Sequence, residues 1–148
     1  MNNLMYAITP EHHHAAEVSA DLMARLIRFN EQHTGPMQKQ QVALTVRNDH
    51  GALIAGLAAE IFWNGLYVLQ LWVDADHRHQ GYGSGLLRRA EELAAEASCV
   101  CVYLSTFEFQ APGFYSRLGY SVIGELPGVP ANSRRQWFSK TVPAKPRE

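Results

Sequence analysis

Long apolar runs are missing from this 148-residue chain, and so is any excess of charge. Its hydrophobic stretches fall far short of the roughly 18 residues that a membrane-spanning helix needs, so no membrane partner is expected. No h-region of a secretory signal stands near the start. Lys and Arg number 13 against 14 Asp and Glu, a formal net charge of −1 with the signs interspersed. A nucleic-acid footprint requires a clustered basic patch, and none is present. Cysteine is scarce, with only Cys99 and Cys101. Two apart in a strand-like run, they are expected on one face, a poor geometry for a mutual disulfide. They read as buried thiols of a reducing cytosol, which makes the expected location cytoplasmic. A Cys-x-Cys metal site needs further ligands, none stands nearby, and no metal is expected. Internal repeats and low-complexity tracts are absent too. What remains is 47% hydrophobic and 18% charged. That composition describes a single domain over 1–142 with a real core, followed by a tail over 143–148 expected to fray.

Taken in order, Met5 to Ile8 is a short strand candidate. Thr9-Pro10-Glu11 reads as an N-cap, a proline at the first helical position and an acid in the first turn. The helix that follows is expected to run to about Asn30, with Val18, Leu22, Met23, Leu26, Ile27 and Phe29 on its apolar face. His12, His13 and His14 cannot share a helix face and read as solvent-facing. Glu31 to Gln41 is polar and broken by Gly35-Pro36, a loop or a short second helix. Gln41 to Arg47 alternates Val42, Leu44 and Val46 as a half-buried strand. Ala52 to Trp63 is a longer strand in which Gly56 marks a bulge. Asn64-Gly65 then signals a tight hairpin into the next strand.

That strand, Leu66 to Val73, leads into Asp74 to Gly85 and then into a helical stripe of Leu86, Leu87, Ala90, Leu93, Ala94 and Ala97. The junction carries Gly81, Gly83 and Gly85 at alternate positions. Glycines between a strand and a helix aim free backbone N–H groups at one point and remove the Cβ atoms that would block a ligand. The helix dipole adds partial positive charge there, which suits a phosphate or pyrophosphate. A dinucleotide fingerprint fails, because its third glycine falls on Leu86, and a Walker loop fails for want of any Gly-Lys pair. Arg78-His79-Gln80-Gly81-Tyr82-Gly83 instead resembles the Arg/Gln-x-x-Gly-x-Gly/Ala signature of the GNAT superfamily of acyl-CoA-dependent N-acyltransferases. The other reading is a strand-to-helix turn whose glycines serve tight geometry alone.

Downstream, Val100 to Leu104 reads as a buried strand parallel to the one before the helix. A short helix closing at Gly119, a strand from Tyr120 to Ile123, a hairpin over Gly124 to Arg134 and a last strand from Arg135 to Val142 follow. Within this part, Ala111-x-x-Phe114-Tyr115-x-x-Leu118-Gly119-Tyr120 resembles the second landmark of the same superfamily. Both landmarks stand in order, and the order of elements matches over essentially the whole chain. The Ser-Thr-Phe-x-Phe-Gln-Ala-Pro-Gly-Phe-Tyr wording is similar to a bacterial branch of the family.

The resemblance implies an α+β, three-layer αβα fold: a mixed, mostly antiparallel sheet of six to seven strands, helices on both faces, and central strands splayed apart. It implies transfer of the acetyl group of acetyl-CoA to a primary amine by direct attack in a ternary complex. The amides from Arg78 through His79, Gln80, Gly81, Tyr82 and Gly83 to Ser84 would hold the CoA pyrophosphate. Leu71, Trp72 and Val73 would bind the pantetheine arm through their backbone, with the Val73 amide facing the oxyanion. Tyr115, also in contact with CoA, would protonate the leaving thiolate. Where some relatives carry a basic glutamate this chain has Tyr67, which leaves Glu60 first among the candidate bases and Asp74 and Glu108 behind it. Many relatives dimerise, so a homodimer is an expectation. The acceptor, a small amine or a peptide amine, would meet residues 29–41 and 127–135. There Arg134 and Arg135 either attract an acidic acceptor or form a solvated pair. An acyl-CoA-binding module without turnover is the alternative function.

Overall fold

The computed structural model describes residues 5–143, which fall into two units, one ending at Met37 and one beginning at Gln38. In the first, a 3-10 turn over His12–His14 precedes helix α1, Ala15–Thr34. The helix therefore begins beyond Thr9-Pro10-Glu11 and runs past Asn30. Without a side-chain cap at its start, only a stop signal fixes an end. Gly35 supplies it at φ +74, donating its N–H to the Glu31 carbonyl at 3.0 Å. Only a residue without a Cβ enters that conformation cheaply. Met5–Ile8 forms no strand. Four residues carry the β pattern, but an extended segment without a partner leaves its backbone groups unpaired.

The second unit is an open sheet of six strands in the order β1-β2-β3-β4-β6-β5. Strands β1 (Lys39–Arg47), β2 (Leu53–Phe62) and β3 (Gly65–Val73) form an antiparallel meander. Helix α2 (Tyr82–Glu96) crosses over to β4 (Cys101–Phe107), which lies parallel to β3. A single turn of helix, α3 (Phe114–Arg117), leads into β5 (Ser121–Pro127) and β6 (Arg134–Thr141), of which β6 pairs with β4.

Helix α2 covers one face of this sheet. Its Leu86, Leu87, Ala90 and Ala94 are buried together with Leu57, Ala59 and Ile61 of β2, Leu66 and Val68 of β3, and Val102 and Leu104 of β4. Each fully buried leucine of this set stabilises the fold by about 1.5–3 kcal/mol. The alternation of the strands sends the other residues to the opposite face: Glu60 of β2, Tyr67 of β3, Tyr103, Ser105 and Phe107 of β4, and Arg135 and Trp137 of β6.

Three local expectations are corrected. The β2–β3 turn residues are Trp63, at φ 50, and Asn64, one place before the Asn64-Gly65 signal. Gly65 opens β3 instead, where an added Cβ would stand 3.1 Å from the Tyr103 ring. The bulge of β2 lies at Ile54 rather than Gly56, since Val46 pairs with Ala55 and Arg47 with Leu53, and a second lies at Leu69 of β3, since Ala58 pairs with Gln70 and Ala59 with Val68. Gly56 keeps regular register, its missing Cβ leaving room for the Leu44 carbonyl at 3.2 Å. The cysteines do not share a face. The chain is still leaving α2 at Cys99, whose N–H bonds the Ala94 carbonyl at 2.8 Å, so Cys99 is buried while Cys101 opens β4 half-buried. Both thiols are free.

Candidate active site

Parallel pairing of β3 and β4 lasts for four residues, Gly65–Val68 against Cys101–Leu104, and then stops. Beyond it both strands continue, β3 to Val73 and β4 to Phe107, held only by their outer neighbours β2 and β6. The physical cause sits at the fork. Leu69 is the extra residue of a bulge, and a bulge bends and twists its strand. It also shifts the phase of β3: Leu66 and Val68 point to the α2 face before it, and Leu71 and Val73 after it.

The backbone lining of this slot follows from hydrogen-bond alternation. Asp74 donates its N–H to the Ile54 carbonyl at 2.8 Å. Along an antiparallel ladder the groups of successive residues alternate sides. Those of Val73 and Leu71 therefore face the slot, and those of Trp72 turn back to β2. On the other wall, Glu108 donates to the Arg134 carbonyl at 3.0 Å, which turns Phe107 and Ser105 toward the slot. The Phe107 N–H is taken by the Gln110 Oε1 at 2.9 Å, which also accepts from the Thr106 hydroxyl at 2.9 Å. Both walls thus present strand-like backbone groups to the slot, except the Phe107 N–H, which Gln110 takes.

At the mouth of the slot the chain passes through a 3-10 turn over Ala75–His77 and enters α2. The helix begins at Tyr82, four residues before the sequence pattern placed it, so Gly83 and Gly85 belong to its first turn. Gly81 precedes it at φ +88, and His79 also lies in the left-handed region at φ 60. The first bond of the helix runs from the Gly85 N–H to the Gly81 carbonyl at 2.9 Å. The amides of Gly81, Tyr82, Gly83 and Ser84 come before that ladder and point outward from the positive end of the dipole. Arg78 donates Nε to the Val73 carbonyl at 3.3 Å, which ties the loop to the end of β3. An anion at the helix start and an extended arm in the slot would be continuous.

Tyr115 is buried, 8% exposed, among Phe114, Tyr120 and Phe138, with ring centroids at 5.0, 5.9 and 5.5 Å. Burial alone raises its phenol above 10.0, so the hydroxyl stays protonated across neutral pH. Its carbonyl accepts from Leu118 and Tyr120, both at 3.0 Å, and Gly119 at φ +89 closes this turn. Phe114 carries the short helix onto α2: a Cβ on Gly83 would lie 3.2 Å from its ring and 3.7 Å from Val73. The glycine signature and the Phe-Tyr landmark thus meet at one contact.

The carboxylates are distributed differently. Glu60, one strand from the slot on the face opposite α2, pairs with Lys39 at 2.9 Å. Asp74 accepts from His77 at 3.0 Å, and that bond lowers its pKa. Glu108 pairs with Arg134 at 2.9 Å. Among the described residues no group of three His, Cys, Asp or Glu could hold a metal ion. Sequence reasoning assigned no role to Leu69, Ser105 or Gln110. A bulge without Gly or Pro leaves no local signal, whereas Ser105 and Gln110 stand in the Ser-Thr-Phe-x-Phe-Gln run and were open to notice.

Comparison with known proteins agrees with this geometry. Residues 5–120 match the model of the acetyltransferase (GNAT) family. The blasticidin-S acetyltransferase of Streptomyces morookaense is 43% identical over 83 residues, 55% of this chain and 61% of that protein. The chain thus matches under two thirds of that relative's length. An acetyltransferase of Agrobacterium fabrum is 30% identical over 125 residues, 84% of this chain and 91% of the other. The crystal structure of an acetyltransferase from Bacillus cereus superposes with a TM-score of 0.77 at 28% identity, covering 92% of this chain and 96% of that one. With the family model spanning most of its length, this chain belongs to the GNAT family of acetyltransferases.

Proposed function

We propose that the protein transfers the acetyl group of acetyl-CoA to a primary amine, as a single acyltransferase domain over 1–142. The observation that carries this reading is the forked β3–β4 slot ending at a helix start whose first amides are unbonded within the helix. The amides of Gly81 to Ser84, supplemented by Arg78 and His79, bind the pyrophosphate. The backbone of Leu71 and Val73 on one wall and Ser105 on the other binds the pantetheine arm as a pseudo-strand. The Val73 N–H is the donor assigned to the thioester oxygen, a contact worth about 3 kcal/mol where such donors have been removed from other enzymes.

The slot opens through the sheet from one face to the other, and chemistry divides between the two faces. Tyr115 lies among α2-face aromatics and Glu60 on the other face. The amine attacks the thioester carbonyl from the Glu60 side, forming the C–N bond. The tetrahedral intermediate then breaks its C–S bond, and the sulfur takes the Tyr115 proton. Glu60, one strand from the slot and paired with Lys39, takes the amine's proton through water, and the Tyr115 phenolate recovers a proton from solvent as the products leave. Two free thiols suit the reducing cytosol as its location.

Tyr115→Phe tests the assignment. Acetyl-CoA affinity is expected to persist while turnover falls about a hundred- to ten-thousand-fold. An unchanged rate would remove Tyr115 from the chemistry. A Glu60→Gln change that left the pH–rate profile in place would do the same for Glu60.

A further inference from the structure

The two arginines at the start of β6 occupy opposite faces of the sheet and have different partners. Arg134 spends its terminal nitrogens on Glu108 at 2.9 Å and Glu125 at 3.4 Å. Arg135 forms no ion pair with any carboxylate among the described residues. It is half-buried, and one edge of its guanidinium is fixed: Nε and Nη2 both donate to the Ser105 hydroxyl, at 3.0 and 2.7 Å. The Phe107 and Trp137 rings flank its plane at 5.7 and 5.0 Å. Ser105 lies on the part of β4 beyond the fork, so the guanidinium reaches across the strand toward the slot. It does so on the face that carries Glu60.

An arginine held by a neutral hydroxyl and two aromatic rings has a defined orientation and no carboxylate partner of its own among the described residues. Its remaining N–H groups match the spacing of a carboxylate, and bidentate pairs of that kind are short and strong. Phe107 and Trp137 supply apolar surface beside it, and Phe109 stacks on Phe107 at 5.6 Å. We propose that Arg135 is a specificity-determining residue that reads a carboxylate on the acceptor. The substrates are then amines whose own molecule carries a carboxylate next to a planar or apolar body. This rests on the acetyltransferase reading: the amine points into the slot and the carboxylate sits at Arg135.

The test uses the protein loaded with acetyl-CoA and titrated calorimetrically with phenylacetate and with its neutral isostere phenylacetamide. Phenylacetate is expected to bind at least about tenfold more tightly, the worth of a charged hydrogen bond. Arg135→Gln should erase that difference and leave acetyl-CoA binding intact, which also reports that the variant is folded. Arg135→Lys should recover only part of the preference, because the planar fork is gone. Equal binding of the two probes, or an unchanged preference in Arg135→Gln, would overturn the proposal. A parallel assay of thiol release compares aromatic amino acids with their amides. Preference for the acids, lost through KM in Arg135→Gln, supports it. Equal turnover of acids and amides sinks the carboxylate contact while leaving the acetyltransferase intact. Carboxylate binding at Arg135 without turnover of any amine upholds the Arg135 contact and sinks the acetyltransferase reading.

Discussion

Gly81 and Gly85 stand one helical turn apart and answer to different constraints. Gly81 has open space around it but a φ of +88, while Gly85 has open space and no such φ. Alanine at Gly81 is therefore expected to cost about 1–2 kcal/mol, the penalty of the left-handed region for a residue with a Cβ. Alanine at Gly85 should stabilise by roughly 0.5–1 kcal/mol through helix propensity. Urea denaturation of the two variants checks both signs, and a destabilised Gly85→Ala would contradict the helical start at Tyr82. The same pair shows how far single residues could be read in sequence. The glycine spacing marked the corner where α2 begins, yet conformation, not spacing, separates the residue the backbone requires from the one it merely accepts.

At the scale of elements, the slot depends on one inserted residue. Removing Leu69 would restore continuous pairing register between β2 and β3, with Leu71 still opposite Leu57 and Val73 opposite Ala55 on the α2 face. Leu71 and Val73 thus keep their packing against the core cluster, and the deletion should straighten β3 and close the fork while leaving the fold in place. Loss of acetyl-CoA binding by a deletion variant that still melts cooperatively is the expected result. Retained affinity would place the arm elsewhere. The meander, the crossover helix and the last two strands were legible because hydrophobic alternation and turn residues are local signals. The bulge was not, since the run from Leu66 to Val73 holds no Gly or Pro and its one polar residue, Gln70, fits a regular strand equally well. Met5–Ile8 failed for the complementary reason: its pattern is that of a strand, but pairing is a tertiary fact. The opposite fates of Cys99 and Cys101 likewise turn on where β4 begins, a boundary that the apolar run from Val100 conceals.

For the whole molecule, the buried and half-buried titratable groups set how stability depends on pH. Burial raises the phenols of Tyr103, Tyr115 and Tyr120, and the Glu91 carboxylate that accepts from Tyr120 at 3.0 Å pushes that phenol further up. Burial raises the Cys99 thiol as well. All four are neutral when protonated, so the folded chain holds its protons to higher pH than the unfolded chain does. Their contribution is complete below the unfolded values of 9.0 for Cys99 and 10.0 for the tyrosines. It is lost progressively as pH rises above them. Unfolding free energies measured at about pH 7 and about pH 10.5 should therefore differ, the alkaline value being lower. Tyr120→Phe should flatten that slope. On the acid side Asp74, held down chiefly by His77, contributes above 3.8 and stops contributing as pH falls through its lowered value.

The claim on which the rest depends is that the forked slot and the α2 start form one acyl-CoA site. Thermal melting and calorimetry with acetyl-CoA test it most directly, with desulfo-CoA and NAD alongside. Saturation at about a hundredfold above Kd should add about 2.7 kcal/mol of stability, a rise on the order of 5–10 °C for a chain of this size. Desulfo-CoA, which keeps the pyrophosphate and arm, should stabilise as well, and NAD should not. No shift at saturating acetyl-CoA, or an equal shift with NAD, would leave the glycines as a turn and contradict the site.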